Sequence, residues 1–127
     1  MGLDMYAFST RVSPTKPVDF SDEIGEDDAE EFFYWRKHPN LHGWMEKLYR
    51  AKNGEEGSFN CVPVALAPED LDRLEQDIRG NSLPETEGFF FGQSYKDQDE
   101  IDNDLDFIKK ARDEIAAGKT VFYYSWW

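Results

Sequence analysis

Two segments at opposite ends of the chain alternate in polarity with a period of two. In "GLDMYAFST", Leu3, Met5 and Ala7 share one face and Asp4, Tyr6 and Phe8 the other. In "TVFYYSWW", Val121, Tyr123 and Ser125 oppose Phe122, Tyr124 and Trp126. Period two is the signature of a half-buried strand. Strands at both ends with helical patterns between them point to a sheet in which the two terminal strands pair and the helices pack on one face. The unlike faces favour antiparallel pairing. The predicted fold is therefore α+β: a small, mainly antiparallel sheet that includes both terminal strands, with three to four helices packed on it, as a single domain over residues 1–127.

Between these strands the pattern changes. Residues 11–28 carry two prolines, a glycine and many polar side chains, and read as a loop. "DDAEEFFYWRK" reads as a helix with acids in its first turn, where they complement the macrodipole. Pro39 is expected to break or kink that helix, and His38 before it is biased away from the helical region. Leu41, Trp44, Met45, Leu48 and Tyr49 then form an amphipathic stripe, ended by Asn53-Gly54. "CVPVAL" is a short strand that Pro63 confines to an edge or a strand end. "APEDLDRLEQDIRG" is a helix with Pro68 at its first position, Glu69 and Asp70 in the first turn and Gly80 as its stop. The longest helix is "YKDQDEIDNDLDFIKKARDEIAAG", with Ile101, Leu105, Ile108 and Ile115 on one face and Gly118 at its end. Just before it, Phe89, Phe90 and Phe91 stand between glycines and read as a short aromatic strand joining the sheet.

Composition narrows the function classes. Sixteen per cent of the chain is aromatic, so the core is expected to be rich in Phe, Tyr and Trp. The single cysteine, Cys61, excludes an internal disulfide and fits a reducing, cytoplasmic compartment; in its β-branched run it reads as a small core residue. No apolar run approaches the roughly 18 residues of a membrane span. Twenty-seven acids against fourteen bases give a net charge of −13. That charge argues against direct contact with nucleic acid or an anionic membrane, and allows a basic protein partner.

The chemistry-bearing patterns are few. "YWRKHPNLHGW" gathers Trp35, Arg36, His42 and Trp44, donors beside stacking surfaces that could, together with Phe90, form a small-ligand patch or an enzyme site. No glycine-rich phosphate loop accompanies it. The spacing of His38 and His42 resembles a metal pair, but Pro39 interrupts the helix it would need, and His42 with Cys61 carries no recognisable nucleophile signature. "DQDEIDNDLD" fails as a calcium loop: Asp102 occupies the position of the required glycine and Ile108 that of the closing glutamate. No catalytic residue, cofactor or metal is assigned. What the segment does offer is charge. Asp97, Asp99, Glu100, Asp102, Asp104 and Asp106 put six carboxylates into ten residues, about 15 Å of helix. A second block, Asp19 to Glu31, has eight acids and no base. On one surface, two such blocks could imitate a phosphate backbone, which carries one charge per about 1.7 Å of duplex. Two ordinary solvated faces would look the same in sequence.

"MGLDMY", "YWRK…LHGW", "NC…V", "LPETEGFFFG" and "FYYSWW", in that order along nearly the whole chain, resemble a family of small uncharacterised proteins of bacteriophages and bacterial genomes. Pro39 departs from the family pattern, in which this stretch reads as one unbroken helix. The resemblance implies a phage-linked accessory protein of the host cytoplasm that binds a host factor, with inhibition of a nucleic-acid-binding or defence complex as one such role. It implies no established activity.

Overall fold

The computed structural model describes residues 2–86 and 97–127. Strands β1 (Asp4–Thr10), β2 (Ala29–Arg36), β3 (Val64–Leu66) and β4 (Thr120–Trp126) form one antiparallel sheet in the order β2-β1-β4-β3. Helices α1 (Pro39–Ala51), α2 (Pro68–Arg79) and α3 (Gln98–Ala116), with two short 3-10 turns at Ser21–Glu23 and Glu26–Asp28, complete the described elements. The α+β class and the pairing of the two terminal strands are as the alternation predicted. β3 is the edge strand that Pro63 required, and the Phe89–Phe91 strand lies outside the described residues.

β2 corrects the sequence reading, which made this stretch a helix. Its acids Glu26 to Asp28 form a short 3-10 turn, and "AEEFFYWR" continues as an extended strand. Four consecutive aromatics before Arg36 favour the pleated, half-buried surface over a helix. A bulge hides the strand's alternation: Ala7 pairs with Phe33 but Phe8 pairs with Glu31, leaving Phe32 as the extra residue. The bulge lets both Phe32 and Phe33 reach Phe107 of α3, with ring centroids at 6.1 and 5.5 Å.

Pro39 likewise starts a helix where the sequence reading had it break one. Lys37 adopts a left-handed φ of 56° and donates its backbone N–H to Leu3 at 2.9 Å, which turns the chain off the sheet. His38 is the N-cap, with φ −111° and ψ 74° outside the helical region that a residue before proline avoids, and Pro39 is the first helical residue. α2 is capped by its own first turn: the Asp70 carboxylate accepts from the Ala67 N–H at 2.8 Å and is held by Lys52 at 2.6 Å.

The helices cover the face formed by Leu3, Met5, Ala7, Trp35, Val121 and Tyr123. The stripe of α1 is buried as its periodicity required, with Leu41, Met45, Leu48 and Tyr49 in the core. Leu71, Leu74 and Ile78 of α2 and Phe107, Ile108 and Ala111 of α3 join them. In α3, Ile108 is buried, while Ile101, Leu105 and Ile115 are partly buried against the core. Cys61, expected inside, is exposed: its φ of 61° turns the chain there, and its N–H bonds the Ser125 carbonyl at 2.9 Å.

Candidate functional site

The uncovered face of the sheet is a grid that the strand register fixes. Arg36, Asp4 and Trp126 form one cross-strand row; Tyr34, Tyr6 and Tyr124 form the next; Glu31, Phe8, Phe122 and Ala65 form the third. Residues opposite each other on one face sit close enough for direct side-chain contact. The rings do touch: Tyr6 lies 5.3 Å from Tyr34 and 6.0 Å from Phe8, and Phe8 stacks on Phe122 at 5.3 Å. Tyr34 and Trp126 are the exposed large hydrophobics among the described residues, at 45% and 59%.

Carboxylates edge this aromatic surface. Asp4 accepts the Tyr34 hydroxyl at 2.6 Å, which pushes the Tyr34 phenol up to about 12. Burial, then Asp4 and Glu31, raise the Tyr6 phenol. Partial burial, followed by the neighbouring Cys61, lifts Tyr124 to about 12. The face therefore disfavours negative charge. Its one nearby cation, among the described residues of the three rows, is Arg36, 3.9 Å from Asp4.

Where the turn around Ser21–Glu23 folds over the third row, a pocket of about 340 Å³ opens. Phe8, Phe20, Phe122 and Tyr124 line it, with Ile24 and Pro63.

The sequence-selected residues distribute differently. Of the acidic run on α3, Asp97, Asp99, Asp102 and Asp106 are exposed. Asp97 is the N-cap, accepting from the Glu100 N–H at 2.9 Å, and Asp106 pairs with Lys110 at 3.2 Å. Asp104 is buried at 2% exposure. Its carboxylate accepts from the Trp35 indole at 3.1 Å and meets His38 Nε2 at 2.8 Å, with Glu100 at 3.7 Å from the same nitrogen. This cluster lies between two concavities. A cleft of about 340 Å³ is lined by Arg36, Lys37, His38, Asp97, Asp99 and Glu100. A smaller one of about 180 Å³ includes Asn40, Glu85, Glu100 and Asp104 in its lining.

Each member of the basic-aromatic segment has its own partner. Trp35 is bonded to Asp104, Arg36 lies beside Asp4, Trp44 donates to Asp77 at 2.8 Å, and His42 Nδ1 meets the Tyr123 hydroxyl at 2.7 Å. His42 is fully enclosed, packed against Phe59 and Trp127, and burial drops its imidazole to about 3. It is therefore neutral, and one ring nitrogen, Nδ1, is hydrogen-bonded to the Tyr123 hydroxyl. Tyr123 is itself pushed well up by burial. Phe90 lies outside the described residues.

Among the described residues, no group of three or more His, Cys, Asp or Glu is arranged to hold a metal ion. No helix among them is long and apolar enough to cross a membrane. Comparison with protein-family models, curated proteins and solved structures finds no match, so the phage-linked resemblance rests on the quoted motifs alone.

The sequence places Tyr6 and Phe8 on one face of the first strand and Tyr124 on one face of the last, but does not reveal Tyr34, Glu31 and Phe20 as their neighbours. Reading β2 as a helix scattered them. The available signal was the aromatic density of "FFYW", which favours a strand.

Proposed function

We propose that this chain is a non-enzymatic binding module for a basic protein segment, engaged through the uncovered sheet face. The cross-strand tyrosine row Tyr34–Tyr6–Tyr124, edged by Asp4 and Glu31, carries this reading. Lysine and arginine side chains bury their stems on aromatic surface while their charged ends meet carboxylates or ring faces. A net charge of −13 steers such a segment toward the molecule and repels polyanions. In the setting implied by the phage resemblance, the partner is a basic host factor.

A second reading is supported by the exposed Asp97, Asp99 and Asp102 at the start of α3: a helix that occupies a basic cleft in place of nucleic acid. The two differ in location. Chemical-shift mapping with lysine- and arginine-rich peptides separates them. Saturable shifts at Tyr6, Tyr34 and Tyr124, abolished by Tyr6→Ala and by Asp4→Lys, support the sheet face. Shifts confined to α3 and lost in Asp99→Lys/Asp102→Lys support the helix. Absence of saturable shifts at either place overturns both.

A further inference from the structure

The two edges of the sheet are finished differently. β3 is covered on its outer side: Ala65 donates its N–H to the Pro17 carbonyl at 2.9 Å, Asp19 donates to Pro63 at 3.3 Å, and Val18 bridges to Val64. β2 forms the opposite edge. Its register fixes which backbone groups are spent. Lys37 donates to Leu3, so in the antiparallel alternation Trp35 and Phe33 exchange bonds with Met5 and Ala7. The N–H and C=O groups of Tyr34 and Arg36 therefore point away from the sheet. Among the described residues they have no backbone partner. Between the bulge at Phe32 and the left-handed Lys37, residues 33–36 are a regular run. An uncovered edge of this kind is a template for another strand.

Charge selects which strand. An added strand points alternate side chains to opposite faces. Those on the uncovered face would lie beside Tyr34. Those between them would enter the cleft of about 340 Å³ that Trp35 shares with the start of α3. Asp97, Asp99 and Glu100 line that cleft. The neighbouring cations are engaged elsewhere: Arg36 Nε lies 3.9 Å from Asp4, and Lys37 Cε lies over Gly2. The acids of α3 thus favour Lys or Arg at the cleft-side positions. A second copy of this chain is a poor occupant. Its own edge strand carries exposed Glu30 and Glu31, and each copy carries a net charge of −13.

We propose that the outer edge of β2 accepts an antiparallel strand from a basic partner segment, whose alternate Lys or Arg side chains enter the cleft beside Asp97, Asp99 and Glu100. This rests on the basic-segment reading and specifies how that segment is held. Main-chain bonds to Tyr34 and Arg36 supply the grip, and the acids set the sequence preference.

Amide hydrogen exchange, with and without the end-blocked peptide Lys-Thr-Lys-Thr-Lys, tests it. At saturation the Tyr34 and Arg36 amides should exchange at least about tenfold more slowly, while those of Phe33 and Trp35, already paired to β1, change little. An analogue N-methylated at both threonines keeps the ammonium groups but loses the donors facing β2, and should bind at least about fivefold more weakly. Equal binding of the two peptides overturns the proposal. Arg36→Pro removes an outward N–H, which an edge strand tolerates, and should abolish the slowing at Tyr34, whereas Arg36→Ala should retain it. Retained affinity in an Arg36→Pro protein that unfolds cooperatively also overturns it. Two outcomes in the free protein do the same. Slow Tyr34 and Arg36 exchange at every concentration means the chain fills its own edge, and slowing that rises with protein concentration means a second copy does. Saturable peptide shifts at Tyr6 and Tyr124 without slowing at Tyr34 and Arg36 overturn strand addition and leave the basic-segment reading standing. No saturable change anywhere overturns both.

Discussion

Both faces of the sheet carry aromatic rings, and they use them differently. On the covered face, Trp35, Phe33 and Phe32 converge on Phe107, which is fully buried, so aromatic area there becomes stability. On the uncovered face, Tyr6, Phe8 and Tyr34 contact each other while keeping one side toward solvent, so aromatic area there remains available to a ligand. Polar groups follow the same division. Asp104, His38 and His42 are enclosed with fixed partners, whereas Asp4 and Glu31 stay at the surface. Exposure, more than residue type, separates a structural aromatic cluster from a binding one.

The largest effect expected is at the centre of the covered face. Phe107→Ala removes a ring that touches Phe32, Phe33 and Trp35, and should cost about 3–5 kcal/mol in denaturant unfolding. Asp104→Ala should cost about 3 kcal/mol, because it strands the buried Trp35 indole and His38 without their shared carboxylate. A loss below about 1 kcal/mol for either would erase the contrast between the faces.

His42 gives a pH test of enclosure. Its folded pKa of about 3 lies below its ordinary 6.5, so between those values the unfolded chain binds a proton that the folded chain refuses. The stability contributed is fully present above pH 6.5 and is lost as pH falls toward 3. From pH 6.5 to 5, wild type should lose about 1–2 kcal/mol more than His42→Gln, in paired urea titrations at each pH. Identical pH slopes would mean His42 is solvated. The smallest effect belongs to the uncovered face. Tyr34→Ala should change stability by less than about 1 kcal/mol while weakening peptide binding, which titration calorimetry reads.

Local physics was legible in the sequence wherever a short segment decides its own fate. Alternation located β1 and β4, the Leu41–Tyr49 stripe located α1, and Pro68 with Gly80 bounded α2. What failed depended on distant partners. The bulge at Phe32 breaks the alternation of β2, and the ring that Phe32 packs on there, Phe107, lies far along the chain. Asp104 looked like one more solvated acid in a charged helix. Only Trp35 and His38, contributed by the end of β2 and the cap of α1, make its burial tolerable. The uncovered grid needed the register of three strands, which no single strand encodes.

The pairing of β1 with β4 also sets an order of assembly. Asp4 meets Trp126 and Thr10 meets Thr120, so the middle of the sheet joins the two most widely separated segments described. During synthesis, β1 can find β2 early, but the third member of the tyrosine row arrives only with Tyr124. Until then Val121 and Tyr123 are missing from the face on which the helices close. A ribosome-bound chain halted before β4 should be a chaperone client, and the binding face and the stable core should appear together, in a single late step.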